Sequence, residues 1–291
     1  MFSYRHSFHA GNHGDVLKHI CQMMLINKLK EKDKGFEYFD THSGAGVYDL
    51  QSQEALKTLE FKQGIERLAI DKNSHVLVNQ YHELVTAYQK FNQYPGSPEI
   101  AKSLLREQDK LTLMEWHPQE VKNLKQNLNG KNISIHHRDG FEGLIALTPP
   151  ALKRGLVLID PPYELESEYE QVLQTVCKVH KRWATGIFAI WYPLISERKT
   201  DENSFSTTNS KLGKSQSLIT SLSQQPFKNL LNIELCVTSP SDFGGMYGSG
   251  MVIINAPWQL DVNMEKSLQQ ITPLLAQDSG ASFKVEWLIE G

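Results

Sequence analysis

Four times along this chain a short apolar run ends near a carboxylate, and helix-forming sequence fills the space between. Phe36 to Phe39 leads to Asp40, and Leu111-Thr112-Leu113-Met114 to Glu115. Ile133-Ser134-Ile135-His136 leads to Asp139-Gly140, and Gly155-Leu156-Val157-Leu158-Ile159 to Asp160. Such runs read as strands, and β–α alternation predicts a largely parallel sheet covered by helices. Few chains can satisfy that pattern outside the open α/β class. In that class ligands bind in the crevice beyond the carboxyl ends of the strands, where all four acids fall.

The last acid heads Asp160-Pro161-Pro162-Tyr163. Two prolines stiffen the backbone and remove two N–H donors, leaving carbonyl acceptors beside the carboxylate. The tyrosine ring that follows offers a stacking surface. Acceptors beside a flat ring suit a planar substrate that presents an amino group, such as a nucleobase. Asp-Pro-Pro is also ordinary turn chemistry, and by itself it does not separate the two readings.

A cofactor site would resolve the ambiguity, and Asp40-Thr41-His42-Ser43-Gly44-Ala45-Gly46 is the candidate. Glycines at 44 and 46 let the backbone approach a ligand or take positive φ. The loop has neither the Gly-Lys-Ser/Thr ending of a phosphate cradle nor the full GxGxxG spacing of a dinucleotide site. It suits the amino-acid part of S-adenosylmethionine (SAM), which has no pyrophosphate to hold. Glu115 would then accept from the ribose hydroxyls, and Asp139 from the adenine amino group. Each acid alone is an ordinary turn residue. Together their order is that of a SAM-dependent methyltransferase whose catalytic motif follows its cofactor loops.

At 291 residues the chain is long enough for one large domain, and its net charge of −3 carries no global signal for nucleic acid. Cys21, Cys177 and Cys236 fit no metal or disulfide spacing, which predicts reducing cytoplasm. No stretch approaches the length of a membrane span. The N-terminal residues are polar and His-rich rather than signal-like.

Between Gly46 and Leu111 lie more residues than one crossover helix needs. Gln53 to Ala69 and Val76 to Phe91 read as helices, with Val78, Tyr81, Val85 and Tyr88 on one face of the second. This predicts a helical insertion over 51–93 within a core formed by 36–50 and 94–291, either as padding or as a grip on a large substrate. Further helices are expected over 118–129 and 166–182. A strand should follow at 186–191, then a hairpin of 232–237 with 251–255, and an edge strand at 283–289. The polar segment from Lys199 to Lys214 reads as a loop.

Residues 4–15 are the other oddity, Tyr4-Arg5-His6-Ser7-Phe8-His9-Ala10-Gly11-Asn12-His13-Gly14-Asp15. His9 and His13 are four apart, but Gly11 and Gly14 argue against one continuous helix presenting both rings to a metal. Asn12 or Asp15 would cap a helix running toward Lys30. On that helix His19 shares a face with Val16, Met23 and Ile26, the place of a core histidine. Arg5, Lys18 and the histidines, with Tyr4 and Phe8 interleaved, form a candidate surface for phosphates and a displaced base.

These segments resemble the bacterial RlmJ-type enzymes, adenine N6-methyltransferases acting on 23S ribosomal RNA. The resemblance covers nearly the whole chain. It is strongest in residues 3–13, 40–46, 94–98 (Tyr-Pro-Gly-Ser-Pro), 105–109 (Leu-Arg-Glu-Gln-Asp) and 158–163. It implies a Rossmann-like class I SAM-dependent methyltransferase sheet with a small helical insertion. It also implies SAM contacts from His19, His42, Ser97, Glu115, Asp139 and Gly140, with Asp160 at the reacting centre and Tyr4 near the target base. His19 thereby moves from core residue to ligand contact.

The expected partner is 23S ribosomal RNA, bound by a cytoplasmic monomer that uses no metal. Asp160 and the Pro161 carbonyl would accept the two N–H bonds of the adenine amino group, with Tyr163 stacked on a base turned out of its helix. The alternatives are a methyltransferase for DNA adenine or cytosine amino groups, an inactive RNA-binding protein, and a metal-dependent hydrolase.

Overall fold

The chain enters the fold through α1 (His13–Lys30), whose N-cap Asn12 accepts a hydrogen bond from the Asp15 amide at 2.9 Å. The computed structural model describes residues 4–70, 74–198, 211–240 and 243–291. Every residue of α1 from His13 to Ile26 is buried. This is not the amphipathic pattern of a surface helix, because α1 is covered on several sides at once, by β9, α4, α5 and α10 (bounds below). Asp15, Lys18, His19 and Gln22 therefore lie inside the protein, where each needs a polar partner.

The strands are β1 (Glu37–Asp40), β2 (Val47–Asp49), β3 (Gln93–Pro95), β4 (Lys110–Glu115) and β5 (Ile133–His137), then β6 (Gly155–Ile159), β7 (Ile187–Arg198), β8 (Leu230–Cys236), β9 (Phe243–Ile254) and β10 (Ser282–Ile289). Eight of them form one sheet in the order β10-β8-β9-β7-β6-β1-β4-β5. From β5 to β7 neighbouring strands are parallel, whereas β9, β8 and β10 add antiparallel pairs. The expected hairpin and edge strand are thus β8, β9 and β10.

Strand order reverses at β1, which has β4 on one side and β6 on the other. Such a switch point opens a crevice beyond the strand ends. Asp40 is the last residue of β1, and Asp160 directly follows β6.

Helices cover both faces. One hydrophobic cluster draws on α1, α4 (Val76–Gln89), α5 (Ser97–Leu104), α6 (Pro118–Asn127) and α10 (Leu260–Leu275). The other draws on α7 (Gly140–Leu147), α8 (Ser167–Arg182) and α9 (Lys214–Ser223). Of the polar segment singled out above, residues 199–210 lie outside those described.

Between β2 and β3 the chain leaves the sheet. The single helix expected over 53–69 is instead α2 (Gln53–Thr58), α3 (Glu60–Gln63) and a 3-10 turn at Ile65–Arg67. Leu59 breaks it with φ of +54°, a left-handed conformation that no helix interior tolerates. In α4 the face formed by Val78, Tyr81 and Val85 is buried. β2 and β3 then pair in a two-stranded sheet with Tyr48 opposite Tyr94, which brings the Gly-x-Gly loop beside α5. The sequence reading did not anticipate this small sheet.

Candidate active site

Asp160 is partly exposed at the crevice and meets Lys18 of α1, with Oδ2 and Nζ 2.5 Å apart. The same ammonium lies 2.8 Å from Asp15 Oδ1. Asp15 Oδ2 in turn accepts from the Gly11 amide at 2.8 Å and lies 2.9 Å from His6 Nε2. Burial alone would raise the Asp15 carboxyl, but the neighbouring His6 and the Lys18 ammonium outweigh it and hold Asp15 well below the usual range. Burial alone would lower Lys18; Asp15 and Asp160 raise it instead. Lys18 is thus a permanently charged buried cation, 4% exposed. Its expected role as a surface contact for phosphate is corrected: both carboxylates already claim it.

Two cavities meet at this pair. The first, about 430 Å³, is lined by every residue assigned above to cofactor contact: His19, His42, Gly44, Ser97, Glu115, Asp139, Gly140 and Asp160. At Gly44, with φ of +57°, a Cβ would stand 2.0 Å from Tyr48 Oη. At Gly140 it would stand 2.0 Å from the Thr41 carbonyl oxygen. Gly140 thus lets the first and third strand-end loops come this close, and Gly44 lets its own loop fold against Tyr48.

Glu115 anchors the same wall, accepting from the Gly44 amide at 2.8 Å and the His117 amide at 2.7 Å. Burial raises its carboxyl, and those amides oppose the rise. Asp139 caps α7 by accepting from the Glu142 amide at 2.9 Å.

Asp40 lies beneath the site rather than in it. It is fully buried and accepts from Ser97 Oγ at 2.7 Å, Tyr38 Oη at 3.1 Å and the His42 amide at 3.3 Å. Burial pushes Asp40 up to about 6, against the bond from Ser97, with the nearby Asp160 charge adding to the rise. His42 turns its edge to Phe141, with ring centroids 5.1 Å apart, and burial lowers it to about 4. His19 Nδ1 lies 2.6 Å from Tyr94 Oη, while its buried Nε2 has no hydrogen-bond partner among the described residues. Burial holds its imidazole well below the ordinary value, so the ring is neutral.

The second cavity, about 560 Å³, lies on the other side of Asp160. Tyr4, His6, Lys18, Asp160 and Pro162 border both cavities. Tyr4 is packed between them: its hydroxyl is 3.0 Å from His6 Nδ1, and its ring stacks on His9 with centroids 5.6 Å apart. His9 is held by Glu60 at 3.0 Å.

The other predicted residues are placed differently. Arg5 lines neither cavity and pairs with Glu54 at 3.1 Å on the surface. Pro161 is buried and borders neither, whereas Pro162 borders both. Tyr163 lines the second cavity but is only 2% exposed. Its φ is +51°, its hydroxyl donates to the Trp191 carbonyl at 2.8 Å, and its ring packs on Tyr169. Among the described residues no group of three or more His, Cys, Asp or Glu side chains is placed to hold a metal ion.

Sequence reasoning missed the chain from His6 through Asp15 and Lys18 to Asp160, and the tyrosines Tyr48 and Tyr94 behind the cofactor-sized cavity. The i,i+3 spacing of Asp15 and Lys18 hinted at their pairing. No local signal ties residue 18 to residue 160.

The family profile described as "Ribosomal RNA large subunit methyltransferase D, RlmJ" matches residues 33–289. The "Ribosomal RNA large subunit methyltransferase J" of Haemophilus influenzae is 41% identical over 293 residues, covering 99% of both chains. Its namesake in Escherichia coli is 40% identical over 293 residues with the same coverage. The crystal structure of a Legionella pneumophila protein superposes with a TM-score of 0.81 at 32% identity, covering 96% of this chain and 98% of that one. A profile spanning most of the chain, full-length relatives and a matching fold agree, and the chain belongs to the RlmJ family of large-subunit ribosomal RNA methyltransferases.

Proposed function

We propose that this protein transfers a methyl group from SAM to the N6 amino nitrogen of an adenine in 23S ribosomal RNA. The observation that carries the reading is the position of Asp160, where a cofactor-sized cavity meets a second chamber. A group that must face both donor and acceptor belongs at that junction. The first cavity fits SAM on several counts. Glu115 and Asp139 line it from successive strand ends as candidate acceptors, and the buried His19 Nε2 has no hydrogen-bond partner among the described residues. His19, His42, Gly44, Ser97, Glu115, Asp139 and Gly140 would hold it. When bound, SAM supplies an electrophilic methyl carbon on a sulfonium.

The protein's own share is positioning and electrostatics. Adenine's amino nitrogen is a poor nucleophile because its lone pair is delocalised into the ring. Asp160 would accept one of its N–H bonds and favour a tetrahedral nitrogen, whereas the Pro161 carbonyl, expected as the second acceptor, belongs to a buried residue that borders neither cavity. Lys18 holds the Asp160 carboxylate in place, and Asp15 and His6 brace Lys18 from behind. Tyr163 would form the stacking wall for a base turned out of its helix. Tyr4, between the chambers, would close over the base.

Arg5 and the 51–93 insertion would grip flanking RNA. No helix among the described residues is long and apolar enough to cross a membrane. That fact and a ribosomal RNA substrate fit a cytoplasmic enzyme, which we take to act as a monomer.

The test is Asp160→Ala. SAM affinity by calorimetry should stay within a few-fold, while transfer of labelled methyl to unmodified 23S ribosomal RNA should vanish. Full turnover in that variant would end the assignment.

A further inference from the structure

In and beside the second cavity lie polar atoms that the protein leaves unused. His13 Nδ1, Trp191 Nε1 and Ser249 Oγ are buried and have no hydrogen-bond partner among the described residues. All three gather around the first turn of α1. Gly14 lines the cavity together with His13 and Trp191. A Cβ on Gly14 would stand 3.4 Å from the Trp191 ring and 3.6 Å from Ser249 Oγ.

His13 is 7% exposed, and burial lowers it to about 4, so its neutral ring offers one N–H and one lone pair. Buried polar groups in native proteins are nearly always paired, and an unpaired one costs stability until a partner arrives. Two of these residues, His13 and Trp191, line the cavity, and unpaired atoms there mark a place where a polar ligand completes the protein.

Their position indicates which part of the ligand they meet. Gly14 and Lys18 are four residues apart on one helix, so they share a face and lie roughly 5 to 6 Å apart. Lys18 holds Asp160. Across the sheet Ile159 pairs with Ile190, so Trp191 and Asp160, the carboxylate assigned above to the amino group, border the same cavity from neighbouring strands, and this inference rests on that assignment. With its amino group at Asp160, adenine turns toward Trp191 the ring nitrogen opposite, N3, a pure acceptor, beside the C2–H. An indole N–H is a pure donor.

We infer that Trp191 Nε1 donates to N3 of the target adenine, with His13 beside it on the cavity wall, and that this contact selects against purines bearing an amino group at C2. A 2-amino group would set a second donor against the indole N–H in a water-shielded site. Polar mismatch there discriminates far more strongly than lost apolar contact.

The test uses RNA fragments that differ only at the methylated position, which carries adenosine, 3-deazaadenosine or 2,6-diaminopurine riboside. Each retains the 6-amino group that receives the methyl. The unaltered enzyme should show kcat/KM about tenfold lower on both analogues, the scale of one hydrogen bond. Trp191→Phe keeps the ring-sized wall and the backbone carbonyl that holds Tyr163. It should methylate all three at similar rates, with adenosine reduced to the 3-deazaadenosine level.

Equal rates on adenosine and 3-deazaadenosine with the unaltered enzyme overturn the inference, and that arm needs no variant to fold. Undiminished discrimination in Trp191→Phe overturns it as well. Failure to methylate adenosine RNA at all is a different result, which removes the parent reading and this one together.

Discussion

Lys18 and Asp160 lie 142 positions apart in sequence, yet their Nζ and Oδ2 atoms are 2.5 Å apart. Lys18 also touches Asp15, so one buried cation serves two carboxylates. Removing one member of a buried ion pair leaves an uncompensated charge, at a cost of about 3–5 kcal/mol. Lys18→Met should therefore lower stability by about that much in chemical denaturation. It should also reduce methyl transfer at least a hundredfold, because Asp160 loses the group that aims it. Lys18→Arg should not restore activity, since a planar guanidinium cannot occupy the same space between the two acids. Wild-type turnover in either variant would show the pair to be incidental.

The glycines at 44 and 213 offer a matched contrast. Both have positive φ, +57° and +70°, but a Cβ on Gly44 would collide with Tyr48 Oη, whereas nothing lies within 4 Å of one on Gly213. Gly213→Ala should cost only the left-handed backbone penalty of roughly 1–2 kcal/mol. Gly44→Ala should cost more and weaken SAM binding at least tenfold by calorimetry, because the loop must move away from Tyr48.

Burial raises Asp40 from 3.8 to about 6. A raised carboxyl binds its proton more tightly in the folded state. Its stabilising contribution is therefore complete below about pH 4 and is lost as pH rises through about 6. The difference is worth roughly 3 kcal/mol. Unfolding free energies measured between pH 4 and 7 should show this fall in the native protein relative to Asp40→Asn, in which no proton can be exchanged. Parallel pH profiles for the two would refute the assignment.

Tyr163 separates ring from hydroxyl. Its O–H donates to the Trp191 carbonyl, and its ring packs on Tyr169. Tyr163→Phe should lose about 1 kcal/mol of stability and keep methyl transfer within a few-fold. Tyr163→Ala should abolish transfer by removing the wall. If the phenylalanine variant is as inactive as the alanine one, the hydroxyl matters beyond its structural bond.

The amino-acid order alone determined the α/β class and the four acids at strand ends. It also determined the Gly-x-Gly turn and the detour between residues 46 and 111. Each is a local signal: periodicity, a strand-ending carboxylate, a residue that tolerates positive φ. The break at Leu59 was missed because tertiary contacts overrode helix-type residues there, and the β2–β3 sheet because three-residue strands leave no readable period.

Only the tertiary structure decided that α1 is buried all round, turning Lys18 from a supposed surface cation into the partner of Asp15 and Asp160. Likewise it set Asp40 beneath the site, paired Arg5 with Glu54, and gathered His13, Trp191 and Ser249 around one glycine. The physical reason is common to these cases. A side chain's charge state and freedom to bind depend on which distant segments exclude water from it, and sequence spacing carries no record of that.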